Sequence, residues 1–505
     1  MNHLAQLDRK FVWHPFTQMR DWLQREPIVI ASGKGAMLRD VNGREYLDAN
    51  SSIWTNLHGH RNSKINAAIS RQLKNLAHSS ALGLANVPAS LLAGKLFAIA
   101  NLKQFGGTSS TSLHSKFGTH GTRPSESLQK VFFSDDGSTA LEVALKLVYE
   151  FTRRTREKSA GRASSRAARP KFLSLDGAYH GDTVGAVSLG HIDLFHNSFS
   201  GLLFKTDKVM SPYCYRCPFN RAKPERADAR DYRKCNWECV GKVEQKFSAQ
   251  KKTGNPFAAF VFEPLMQGAA GMIPQPRTWL KRVSEIARAN GALLIADEVM
   301  TGFGRTGKAE SGKRKAEILF ACQHENIQPD FLCLAKGMTG GYLPMAATLT
   351  TQKVFNAFLG EYHEFKTFFH GHSFTGNQLG AAASLASLEI LQSAQSVRAR
   401  QNLEEVLRAE LKILWSSPNV GDIRQVGLIV GIELVKNWRT RAPFDLRERA
   451  GIRVCEAMAR RGVLTRPVGN VIVLMPPYCT TTDQARKMVS VLRDAIREIF
   501  GAQKR

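Results

Sequence analysis

Leu293-Leu294-Ile295-Ala296-Asp297-Glu298-Val299 runs almost directly into Thr301-Gly302-Phe303-Gly304-Arg305-Thr306-Gly307. An uncharged apolar run of this length has the pattern of a strand buried on both faces, and it ends in two acids followed by a Gly-rich turn. Carboxylates at the carboxyl end of a buried strand stand where open α/β sheets bind their ligands. Further on, Leu332-Cys333-Leu334-Ala335-Lys336-Gly337 repeats the arrangement with a cation, and Thr339-Gly340-Gly341-Tyr342-Leu343-Pro344 follows. An amine desolvated at a strand end has a lowered pKa, which suits a Schiff-base nucleophile; a lysine snorkelling to the surface is the competing reading for Lys336 taken alone.

The flanking chain fits this frame. Phe257 to Phe262 and Phe331 to Ala335 read as further buried strands, and Trp279 to Ala289, Ala89 to Leu102 and Ser138 to Arg153 carry apolar residues at helical spacing. The alternation predicts an α/β domain with a mostly parallel mixed sheet flanked by helices. Ile28 to Asp48 reads as a small β-meander with turns at Ser32-Gly33-Lys34-Gly35 and Asn42-Gly43. Ile423 to Val435 and Val471 to Met475 are strand-like around a helical Arg447 to Arg461. Residues 1–88 and 381–505 are therefore expected to form a small α+β domain beside a large domain at 89–380. Insertions at 106–127, 152–170 and 213–239 interrupt the large domain; the first two have the composition of disorder.

Taken together, the acid-ended strand, the Gly-Arg-Thr-Gly turn and the lysine before Gly-Gly resemble the class III, or ω-amino acid, aminotransferases of the fold type I enzymes that use pyridoxal 5′-phosphate (PLP). The resemblance runs from Trp13 to Tyr478 and lapses only in the insertions. It implies that Lys336 holds the cofactor as a Schiff base and then acts as general base, while Asp297 keeps its pyridine nitrogen protonated. It places Gly137 and Ser138 of Ser134-Asp135-Asp136-Gly137-Ser138-Thr139-Ala140 in a phosphate cup at a helix N-terminus, a position that otherwise reads as an N-cap. Tyr179, in Asp176-Gly177-Ala178-Tyr179-His180-Gly181, would stack on the pyridine face. His372 and Ser373 of Phe369-His370-Gly371-His372-Ser373-Phe374 would reach the phosphate of a neighbouring subunit, which implies a homodimer with shared sites.

Val12-Trp13-His14-Pro15-Phe16-Thr17-Gln18-Met19 and Ser51-Ser52-Ile53-Trp54-Thr55-Asn56-Leu57-His58-Gly59-His60 resemble the branch of that family that aminates 8-amino-7-oxononanoate to 7,8-diaminononanoate in biotin biosynthesis. On that resemblance Phe16, Ile53, Trp54, Tyr179, Arg305, Lys336, Gly371 and Arg466 line the substrate site, with the Arg466 guanidinium gripping a carboxylate. Phe16, Ile53 and Val473 stand where some members carry tyrosine, tryptophan and tyrosine. The donor expected is S-adenosylmethionine, with lysine as the alternative. Another class III activity, on ornithine, 4-aminobutyrate or β-alanine, or a semialdehyde aminomutase, is the alternative for the whole reaction.

At 505 residues and 43% apolar content the chain can build a large core. No apolar run approaches the roughly 20 residues of a membrane span, and the N-terminus lacks the pattern of a secretory leader, so a cytoplasmic enzyme is expected. Eight cysteines in this length read as reduced thiols. Cys214, Cys217, Cys235 and Cys239 form a C-x2-C and a C-x3-C that could build a zinc site. The spacing is irregular and the resemblance gives a metal no role, so none is expected. The formal charge of +27 admits a nucleic-acid binder as an unrelated class. Much of the excess lies in Arg153 to Lys171 and Arg221 to Lys234, which read as solvated loops, so no nucleic-acid partner is expected.

Overall fold

In a computed structural model, the structure describes residues 2–101, 127–160, 169–308 and 318–501, with the side chains of 157–160 left aside. All of the 106–127 insertion except Ser127, and 161–168 of the second, fall outside these residues.

The N-terminal meander is present as β1 (Ile30–Lys34), β2 (Met37–Asp40) and β3 (Glu45–Asp48), antiparallel throughout. Gly35 and Gly43 take the positive φ its turns need. The chain then supplies β4 (Leu128–Ser134), β5 (Lys171–Leu175), β6 (Asp207–Val209), β7 (Phe257–Phe262), the short hairpin β8 (Met266–Gln267) and β9 (Ile273–Pro274), and β10 (Leu293–Asp297), β11 (Phe331–Leu334) and β12 (Ala346–Thr351). Seven of these form one sheet in the order β4-β12-β11-β10-β7-β5-β6. Its pairings are parallel except at β12, which runs antiparallel to both β11 and β4. Every residue of β7, β10, β11 and β12 is buried, as a strand covered on both faces requires. The expected mostly parallel mixed sheet is therefore the observed one.

Ile423 to Val435 is two strands, not one. β13 (Val420–Val426) and β14 (Ile429–Asn437) form a hairpin, and Gly427 at its turn has a φ of 58°. After β15 (Ala442–Pro443) come β16 (Val463–Leu464), β17 (Pro467–Val468) and β18 (Val471–Leu474). β16 pairs in parallel with β3, so the two ends of the chain share one sheet. No helix among the described residues is long and apolar enough to cross a membrane.

Two insertions differ from the sequence reading. Helix Gly137–Ala160 carries straight through the first part of the 152–170 segment. Its arginines bond to protein carbonyls: Arg154 donates to the Ala357 and Lys366 carbonyls at 2.9 Å, and Arg156 to the Pro256 carbonyl at 2.8 Å. The 213–239 segment is packed, with Tyr215 buried. There Arg226 donates to the Ser417 and Val420 carbonyls, and Arg230 to that of Gln425. Arg216 bonds Glu433, and the buried Arg424 reaches the Tyr213 hydroxyl at 2.7 Å and also pairs with Glu433. Arg216, Arg226 and Arg230 thus clamp the segment to β13 and β14, while Arg221, Lys223 and Lys234 are exposed as expected.

Candidate active site

Strand alternation separates the paired acids after β10. Glu298 turns into the core, fully buried, and accepts from Thr301 Oγ1 and from the Ala321 and Cys322 amides at 2.8 to 2.9 Å. Burial pushes its carboxyl up to about 7. Asp297 points the other way: Oδ2 meets His180 Nδ1 at 2.8 Å and Oδ1 accepts from the Val299 amide at 3.1 Å. One acid braces the turn and the other is held by His180.

Lys336 follows the neighbouring strand β11 and has a positive φ of 43°. Burial lowers its pKa, opposed chiefly by the charge of Asp297 and then that of Glu263. Its Nζ lies 4.5 Å from the centre of the Trp54 ring. Glu263 ends β7 as Asp297 ends β10; it accepts from the Tyr179 amide at 3.4 Å and the Gly268 amide at 2.8 Å. Burial, before any nearby charge, raises its carboxyl to about 7. Three adjacent parallel strands thus deliver Glu263, Asp297 and Lys336 to one end of the sheet.

Gly137 and Ser138 open the helix Gly137–Ala160, where the first amides have no intrahelical acceptor. Ser138 Oγ accepts from the Asp182 amide at 3.1 Å, which ties this helix start to the Tyr179 loop. The approach is so close that a Cβ on Gly181, at φ 119°, would fall 2.0 Å from Ser138 Oγ. Tyr179 stands half-buried, its hydroxyl bonded to Asp182 and its phenol pKa raised by burial first and that carboxylate second. Its ring centre is 6.5 Å from that of Phe16, which also packs edge-on against Phe195 at 5.1 Å.

Trp54 and Ile53 arrive on an unusual turn. Ser51, Ser52, Ile53 and Trp54 have φ of 47°, 48°, 62° and 68°, a left-handed helical turn without a glycine. Each such residue costs roughly 1–2 kcal/mol, and the surroundings hold the turn in place. The Asp48 carboxylate accepts from the Ser52 amide and hydroxyl and meets His60 Nε2 at 3.0 Å. Asn50 Oδ1 accepts from Trp54 Nε1 at 2.8 Å, and Ser51 Oγ donates to the Met475 carbonyl at 2.7 Å. Gly341 backs the turn closely enough that a Cβ would stand 2.8 Å from the Asn56 backbone.

Arg305, expected in the substrate site, lies near enough to Lys336 for its charge to act on that amine. It is 1% exposed, and its guanidinium donates to the Pro476 carbonyl at 2.7 Å and that of Asn56 at 3.3 Å, over the Tyr478 ring. It braces the end of the left-handed turn. Arg466 is exposed between β16 and β17. Gly371 and Ser373 are exposed as well; the Ser373 carbonyl accepts from His78 Nε2 at 2.9 Å, and His372 Nδ1 lies 3.3 Å from Asp135, two residues before the helix start at Gly137. The sequence reading missed His180, Glu263, Asp48 and Asn50. Glu263 had a signal, an acid closing the apolar run Phe257 to Phe262; the other three are recognisable only through their partners.

An acid and a lysine on adjacent parallel strands, beside a glycine-serine helix N-terminus, define a class of transferase, and the family model for aminotransferase class-III matches residues 19–496. The chain belongs to the class III aminotransferases. Within the class it is 43% identical to the adenosylmethionine-8-amino-7-oxononanoate aminotransferase of Geobacter sulfurreducens, over 99% of this chain and 98% of that one. The crystal structure of the enzyme of that name from Methanocaldococcus jannaschii superposes with a TM-score of 0.82 at 37% identity, covering 98% of both chains. An amine transaminase from an uncultivated Pseudomonas species, solved in a PLP-bound form, gives 0.80 at 30% identity, covering 97% of this chain and 98% of that one.

Proposed function

We propose that this aminotransferase carries an amino group to 8-amino-7-oxononanoate, giving 7,8-diaminononanoate in the cytoplasm, with PLP as cofactor and S-adenosylmethionine as donor. The observation that carries the cofactor reading is the delivery of Asp297 and Lys336 from neighbouring strands beside the Gly137-Ser138 helix start. That set fits an aromatic nitrogen cation at one end and a phosphate at the other. Identity of 40% or more to several relatives bearing the same name supports the substrate.

PLP, when bound, supplies an electron sink for the bonds broken at the amine-bearing carbon. Gly137 and Ser138 would hold its phosphate, Tyr179 would cover its ring, and Asp297 would keep a proton on its ring nitrogen. His180 holds the Asp297 carboxylate in place. Lys336 Nζ would anchor the cofactor and carry the proton from the donor carbon, and desolvation lowers the pKa of that amine. Trp54 and Phe16 shape the apolar mouth, and Arg466 would pair with the carboxylate at the far end of the acceptor chain. His372 and Ser373 would complete the phosphate site of a second copy, making the working enzyme a homodimer.

The apolar Phe16, Ile53 and Val473 offer a sulfonium donor no hydroxyl or indole partner, and this favours lysine as the second reading for the donor. PLP-loaded protein mixed separately with each donor should lose its cofactor absorbance band with one of them and regain it on adding 8-amino-7-oxononanoate. Bleaching with neither, but with ornithine or 4-aminobutyrate, would overturn the substrate.

A further inference from the structure

Outside the cleft, four cysteines of the 213–239 segment line one cavity. Cys214 opens the 3₁₀ turn Cys214–Arg216 and Cys217 follows it. Cys235 lies just before the helix Glu238–Lys252, and Cys239 sits in that helix's first turn. All four line a single cavity of about 10 Å³, room for one water-sized guest. None is in a disulfide. Among the described residues no three His, Cys, Asp or Glu already stand together as ligands do around an ion, so an occupant would draw the sulfurs inward from the cavity wall.

Both signs of charge lie nearby, Glu238 on the cavity wall and two arginines beside it. Arg233 Nη1 is 3.1 Å from Cys235 Sγ, and the Arg233 and Arg282 guanidiniums lie 4.0 and 4.3 Å from the centre of the Trp237 ring, which lines the same cavity. Four thiolates around a divalent ion leave a net charge of about −2, which these cations offset. An all-sulfur set selects a soft or borderline metal and rejects magnesium and calcium.

We propose that Cys214, Cys217, Cys235 and Cys239 bind one Zn²⁺ as four thiolates, their four protons passing to solvent, in a structural site outside the catalytic cleft. The ion would join the two ends of the segment whose arginines clamp β13 and β14, so the clamp would be assembled before it docks.

The test uses tag-free holoenzyme purified under reducing conditions without chelator, analysed for metal and then exchanged with Co²⁺. One zinc per chain is expected, with thiolate-to-cobalt absorption after exchange, both lost in Cys214→Ser/Cys239→Ser. Stripping the metal should lower Tm. Less than about one-tenth equivalent of zinc, zinc without thiolate-cobalt absorption, or zinc fully retained in the double variant would each overturn the assignment. If the double variant fails to fold, the two measurements on the unaltered enzyme still decide.

Discussion

Asp297 and Lys336 are placed by ladder hydrogen bonds of β10 and β11, regular strands buried on every residue. Ile53 and Trp54, which face the same cleft, are placed by a left-handed turn that no glycine relieves. The sheet holds Asp297 without backbone strain and tolerates no change of register, and Lys336, just past β11, adds a single left-handed residue. The turn stores strain and depends on a handful of side-chain acceptors: Asp48, Asn50 and the Met475 carbonyl. On the proposed function, the chemistry would rest on the sheet, and the contacts that choose a substrate on a part that single side chains can retune.

Four substitutions probe that contrast. Lys336→Ala should lower kcat by about 10⁴-fold or more, since both the anchor and the proton carrier go; a loss of under about 100-fold would show that the strand end is not the reacting group. Arg466→Ala should raise the acceptor KM by about 10- to 100-fold, the worth of a charge-assisted pair, with kcat less affected. An unchanged KM would remove Arg466 from the substrate site. Asp48→Ala removes the acceptor of the Ser52 amide and hydroxyl, and KM for donor and acceptor should rise together by about 5-fold as the turn loosens; a fall in kcat alone would mean that the turn acts on the floor instead of the wall. Ile53→Asn, a residue that tolerates positive φ, should raise the unfolding free energy by about 1 kcal/mol in denaturant titrations. A destabilised variant would show that the turn carries no strain.

The floor was legible in the sequence because its signals are local. An apolar run ending in an acid, and another ending in a lysine, announce strand ends without reference to the rest of the chain. The acid pair shows where locality stops: Asp297 and Glu298 are equivalent on paper, and only the pleat sends one to the site and the other to the Thr301 and Ala321 donors. The bracing contacts of Arg305 were illegible for the same reason. Its motif marks a turn, while its partners, Pro476 and Asn56, lie far away in the chain. The basic segments read as loops because charge density in a sequence does not reveal that a guanidinium will meet a carbonyl from another element. His180 and Asp48 carry no motif, and their roles exist only as pairings.

The arginine clamp changes what a charge of +27 means for this protein. Arg154, Arg156, Arg226 and Arg230 donate to backbone carbonyls of other elements, so these four of the 70 Lys and Arg serve as framework as well as charge. Such donors are screened by salt far less than exposed ion pairs are. An exchange of these arginines for lysine would leave the electrophoretic charge untouched yet remove the planar fork that spans two acceptors. Two enzymes of identical isoelectric point could then differ in whether they hold together.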